Sequence, residues 1–259
     1  MRKLAMAAAG VLAMGLLSCT ENEPSGSVVL QLTSYGPGGR GPARLRAAGE
    51  DAVVALGKDT IFMRRVELVL QQIELAPYDA GDCEGSPDEH EEACTQLEPG
   101  MVLIRLPPGL AAQQMVTVKA PADTFSLLQF QIHKPDIGVD GAFISAHPDF
   151  TKRSIRLQGT FSRSGARHDF VYTSDFSERE ELMLDPPLAV ARGGTVGLTL
   201  RMDLATWFLT ADKTALVDPA SSAPGQPTET LIRDNIRMSI RAFRDDDQDG
   251  LDDHGEAGR

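Results

Sequence analysis

Patterns that announce common chemistries are missing from this chain. It contains no GxSxG, HExxH, Walker A or paired CxxC motif, so serine-hydrolase, zincin, P-loop and zinc-ribbon chemistry have no recognisable carrier. Cysteine is scarce, with three in 259 residues, which excludes a disulfide-dense scaffold. Aromatics make up only 5% of the chain and tryptophan occurs once, so a core must be built from Val, Ile and Leu. Basic residues are outnumbered, 25 against 37 acidic ones, for a formal charge of −12. An acidic chain repels phosphate backbones, which argues against a nucleic-acid partner and against a polybasic grip on anionic lipid. Long apolar runs are absent too. The longest apolar run, Leu4 to Leu17, has 14 residues, short of the ~20 needed to cross a bilayer.

That run has a context. Arg2 and Lys3 precede it, and Leu16-Leu17-Ser18-Cys19 closes it. The stretch resembles a bacterial lipoprotein signal peptide with its lipobox. The resemblance implies removal of residues 1–18 and acylation of Cys19, with several acyl chains as a membrane anchor. Thr20 follows in place of the aspartate that the family's sorting rule reads as inner-membrane retention, which implies the outer membrane of the cell envelope. Losing Arg2 and Lys3 with the leader takes the formal charge from −12 to −14 and leaves 241 residues, enough for one large domain or two small ones.

Cys83 and Cys94 flank an acidic loop, Glu84 to Ala93. Outside the cytoplasm thiols oxidise, and the spacing is not that of a CxxC metal knuckle, so a disulfide between them is expected over a metal site shared with His90. The run Asp88-Glu89-His90-Glu91-Glu92 reads as a solvated loop rather than a second cation site.

Along the chain, residues 19–27 read as a lipidated tether and Val28 to Tyr35 as a first strand. Gly36-Pro37-Gly38-Gly39-Arg40-Gly41 matches GxGxxG by letter, but Pro42 follows and no βαβ pattern does, so it reads as a loop. Thr60 to Leu75 is the strongest central strand, and its apolar parity changes at Gln71-Gln72, the signature of a β-bulge. Further strands are expected at Met101–Leu106, Met115–Lys119, Thr124–His133, Ile155–Phe161, His168–Thr173, Glu181–Asp185 and Thr195–Leu204, divided by Pro and Gly turns. Ser162 to Ala166 carries a hairpin signature. Trp207 reads as a core plug. Asp212 to Pro227 is a long connection, and Thr228 to Phe243 has helical spacing, with Thr228 as its cap. These features predict a mainly β fold: an antiparallel β-sandwich over 28–227 with one C-terminal helix docked on it, in the segment 228–259.

The helix pattern runs into Asp245-Asp246-Asp247-Gln248-Asp249-Gly250-Leu251-Asp252-Asp253-His254-Gly255-Glu256. This has the spacing of an EF-hand loop and resembles the calcium-binding repeats of thrombospondin type 3 and dockerin modules. The resemblance implies calcium held by Asp245, Asp247, Asp249, the Leu251 carbonyl, Asp253 and Glu256, with Gly250 at the sharp turn. No exiting helix follows before Arg259, which predicts affinity in the ~0.1–1 mM range of extracellular modules.

The sequence therefore predicts a lipid-anchored envelope protein with a non-enzymatic binding or structural role, a protein or glycan partner, and a calcium-stabilised C-terminus. The alternative is a secreted hydrolase, for instance a glycan-active one, whose carboxylates meet in a cleft.

Overall fold

A computed structural model describes residues 25–34, 43–48, 51–77, 94–106 and 113–253. Among these residues twelve strands, β1 to β12, form two packed sheets, as the predicted sandwich requires. The smaller sheet, sheet A, has the order β12 (Ile240–Arg244), β11 (Thr195–Met202), β1 (Ser25–Thr33), β6 (Gln113–Pro121). Its pairs are antiparallel except β1 with β11, which run parallel.

The larger sheet, sheet B, is organised on β4 (Asp59–Pro77), 19 residues long. Its first half lies between β3 (Asp51–Leu56) and β8 (Ile155–Arg163); its second half lies between β5 (Thr95–Arg105) and β7 (Thr124–Ile132). The flanks are completed by β2 (Arg44–Ala48), β9 (Ala166–Ser174) and β10 (Glu178–Ala189). The change of parity at Gln71-Gln72 is a real bulge. The register with β5 and β7 shifts there, and Gln72 has φ 53°. One strand can thus serve two sets of neighbours while keeping Val66, Leu68, Leu70, Ile73 and Leu75 in the core.

The core lies between the sheets, with Val28, Leu30, Leu198 and Leu200 from sheet A against Leu68, Phe130, Leu157 and Tyr172 from sheet B. Trp207 is fully buried, as its reading as a core plug requires, and its indole N–H donates to Ser239 Oγ at 2.9 Å. Helix α2 (Glu229–Met238) docks beside it. Ile232 and Ile236 are buried, and the Asn235 amide donates to the carbonyls of Trp207 and Leu209. A shorter helix, α1 (Gly141–Ala146), precedes a 3-10 turn at Pro148–Phe150.

Several expectations are corrected. The helix predicted over 228–243 stops at Met238, and its last residues become β12, paired with β11. Ile240 and Phe243 recur at helical spacing, yet the β11 edge offers unpaired N–H and C=O groups that win this segment. Thr228 stands at the N-cap of α2 as expected, but its hydroxyl makes no capping bond to the helix and donates to the Ser221 carbonyl instead. The first strand begins at Ser25, within the stretch read as tether, and its Gly26 packs so tightly that a Cβ would lie 2.5 Å from Ala191 O. The β2–β3 hairpin was not predicted at all. The strand expected to end at Pro186-Pro187 continues to Ala189 through a register shift, as proline permits on an edge strand.

Candidate metal centre

The residues after β12 fold back over the outer face of sheet A. Asp245 extends the β11–β12 ladder by one bond, its N–H donating to Gly197 O at 3.1 Å. The Gln31 side-chain amide, from β1, donates to Asp245 O at 3.1 Å. Gly197 makes this approach feasible: a Cβ there would lie 1.9 Å from Asp245 O. The Gly197 N–H in turn donates to Asp246 Oδ1 at 2.9 Å, and Arg244 Nε holds the other Asp246 oxygen at 2.7 Å.

This seating buries Asp245 completely. Its Oδ2 accepts from the Thr199 hydroxyl at 2.7 Å and from Gly250 N–H at 3.0 Å; its Oδ1 accepts from Asp249 N–H at 3.1 Å. A carboxylate offers about four lone-pair sites, so these three bonds leave room for one more. Burial pushes the Asp245 carboxyl above its usual range, against the lowering effect of the Thr199 and Gly250 bonds, and the nearby Asp249 and Asp253 charges push the same way as burial. Among the described residues no basic side chain forms an ion pair with it.

Left-handed backbone at Gln248 (φ 65°) and Gly250 (φ 82°) turns the loop sharply. Asp253 comes back to β12: its N–H donates to Arg244 O at 3.2 Å, and its Oδ2 accepts from Asp246 N–H at 2.7 Å. As a result carboxylate oxygens of Asp245, Asp247 and Asp253 all lie within 4.8 Å of one another. Oxygen donors alone, carrying like charge, are the set that hard divalent cations take, so this cluster can hold a metal ion.

Three of the six expected ligands are thus brought together. Asp249 is not among them; its Oδ1 accepts from Leu251 N–H at 2.7 Å, and its own N–H bonds Asp245 and Asp247. Leu251 is half-buried beside it. Glu256 lies outside the described residues, as do Cys19 and Cys83. Cys94 is half-buried just before β5. Sequence reasoning missed Gln31, Gly197 and Thr199, which support the loop from sheet A. Their signal was present as polar or small residues on the face of two strands opposite Leu30, Leu198 and Leu200.

A carboxylate-dependent hydrolase needs two such groups facing one cleft. The carboxyls that burial pushes upward are Glu74, Glu180, Asp203 and Asp245. They lie on β4, on β10, after β11 and after β12. A cavity of about 480 Å³ beside β5 is lined by Leu32, Ile104, Met115, Arg105 and one carboxylate, Glu67, which is already paired with arginine. A second cavity, of about 380 Å³, is lined by two carboxylates, Glu180 and Asp234, with Arg237 and Met238.

Fold and site together define a two-sheet β-sandwich with a cation-competent acidic loop on the outer face of one sheet. The chain matches no protein-family profile, no curated protein and no solved structure.

Proposed function

We propose that this protein is a lipid-anchored component of a bacterial cell envelope, with a non-enzymatic binding or structural role, whose C-terminal end is clamped to sheet A by calcium. The observation that carries the cation reading is Asp245: a fully buried carboxylate without a basic partner among the described residues, turned toward two exposed carboxylates. Oxygens no more than 4.8 Å apart leave a centre at most about 2.8 Å from each, near the calcium–oxygen range of ~2.3–2.6 Å and farther from magnesium's ~2.0–2.1 Å. Water and the remaining loop oxygens would complete the shell. The anchor rests on the lipobox at Leu16–Cys19. The Cys83–Cys94 disulfide belongs to the same reading, since an oxidising compartment would form it.

Calorimetric titration and thermal unfolding of the full chain test the clamp. Calcium at ten times its Kd is expected to add about 1.4 kcal/mol to stability, with magnesium adding less. Asp247→Asn, at an exposed ligand, is expected to remove that gain while leaving the calcium-free Tm in place. Absence of both heat and Tm shift at millimolar calcium would reduce the loop to a solvated acidic turn.

A further inference from the structure

The outer face of sheet B along the first half of β4 carries an unusual set of side chains. Val66 and Leu68 turn into the core, so Glu67 between them faces outward, with Arg105 of β5 and Arg156 of β8 directly opposite it in the ladders. Glu67 is 1% exposed. Its Oε1 accepts from Arg65 Nε at 2.6 Å and from Arg105 Nη2 at 3.1 Å, and Arg156 Nη1 lies 3.8 Å from Oε2. One buried carboxylate therefore gathers three guanidinium groups, those of Arg65 and Arg105 at the surface and that of Arg156 largely buried.

The register shift between Met63 and Arg65 brings a fourth, Arg64, onto the same face. Its Nη2 donates to the Thr160 hydroxyl at 2.6 Å and to Asp169 Oδ1 at 2.8 Å. A fifth, Arg167 of β9, lies 5.2 Å over the Phe62 ring and makes no ion pair among the described residues. Among the described residues these five arginines pair only with Glu67, Asp169 and, through Arg156 at 3.5 Å, Asp149. The patch is positive on a chain of net charge −12. The strands that form it contain no lysine.

We propose that this face binds an acidic, carboxylate-bearing polysaccharide. Guanidinium matches a carboxylate with two parallel N–H bonds and is weakly hydrated, so arginine without lysine points to planar anions rather than to diffuse charge attraction. The strip from Thr60 to Glu67 is roughly 23 Å long, at a strand rise of ~3.3 Å per residue, which spans several sugar rings. Gln158 and Thr160 lie between the arginines and supply neutral hydrogen-bonding groups for hydroxyls. A bilayer would ask for apolar side chains to insert, and Val171 is the exposed large hydrophobic residue these strands offer. A long nucleic acid would meet the acidic remainder of the surface; a single glycan chain needs only the strip. The inference gives the binding role proposed above its partner class. It shares no residue with the cation loop, so either can fail alone.

The test is titration of the full chain with polygalacturonate oligomers, beside neutral dextran, anionic phospholipid vesicles and single-stranded DNA, at low and physiological salt. Polygalacturonate is expected to bind, more weakly as salt rises, and dextran not to bind. The double variant Arg64→Gln/Arg167→Gln leaves Glu67 and its three arginines intact. It is expected to lose about tenfold or more in affinity with Tm and calcium response unchanged. Asp169→Asn, which removes a competing carboxylate, is expected to bind more tightly. Unchanged affinity in both variants, no binding to polygalacturonate at low salt, or tighter binding to vesicles or DNA would overturn the proposal.

Discussion

Gly197 occupies the middle of a strand whose alternate residues are all core, and there a side chain would ordinarily be an advantage. Its value lies on the other face. The 1.9 Å between a Cβ at this position and Asp245 O is a clash with backbone, which no rotamer change can relieve. Gly197→Ala is therefore expected to push the loop off sheet A, weakening the Thr199–Asp245 and Gly197–Asp246 bonds together. The expected cost is about 1–3 kcal/mol, as for other overpacked sites, read as a lower urea midpoint at unchanged slope, together with a weaker calcium response. A variant as stable as the parent and with the same calcium response would show that the loop does not need this contact. Nothing in one sequence distinguishes such a glycine from one that merely tolerates a strand. Its neighbours Gln31 and Thr199 were legible only as polar residues on the strand face away from Leu30 and Leu198.

The boundary between α2 and β12 shows what limits reading at the level of elements. Ile232, Ile236, Ile240 and Phe243 recur as a helix would have them, and the first two do face inward from a helix. The chain leaves the helix at Ser239 because that residue serves two structures at once. Its N–H still bonds Asn235 O, while its hydroxyl donates to Ile236 O at 2.6 Å and accepts from the buried Trp207 indole. Beyond it, pairing with β11 outweighs helical spacing, a tertiary effect that local pattern cannot report. The central strand was legible to its bulge, since the parity change at Gln71-Gln72 is written in the side chains. The β2–β3 hairpin was not, because short alanine-containing strands gain their stability from β4 rather than from their own pattern. Ser239→Ala leaves the indole N–H buried and unpaired. It is expected to cost about 1–3 kcal/mol and to perturb the emission of the chain's one tryptophan. Wild-type stability and emission would mean that the indole finds another acceptor.

At the scale of the molecule, both ends of the described chain belong to sheet A. Strand β1 enters it at Ser25, and Val29 stands beside Gly197, the residue on which the cation loop rests. The entry point thus lies roughly 13 Å along the strand from the loop's support, at a rise of ~3.3 Å per residue. Residues 19–24 reach no more than ~20 Å even fully extended, so an acyl group on Cys19 would hold this end of sheet A close to the membrane and its divalent cations. The net charge of the chain works in the opposite direction, since an acidic body is repelled by anionic headgroups. Retention at a membrane, as proposed, would then have to come from the lipid itself. Cys19→Ser, expressed in the native cells, is expected to move the protein from the membrane fraction to the soluble one, with the calcium response of the purified chain preserved. Wild-type material is expected to carry an acylated first residue by intact mass. A Cys19→Ser protein that still sediments with membranes, or a wild-type chain without acyl groups, would show that something other than this cysteine fixes its location.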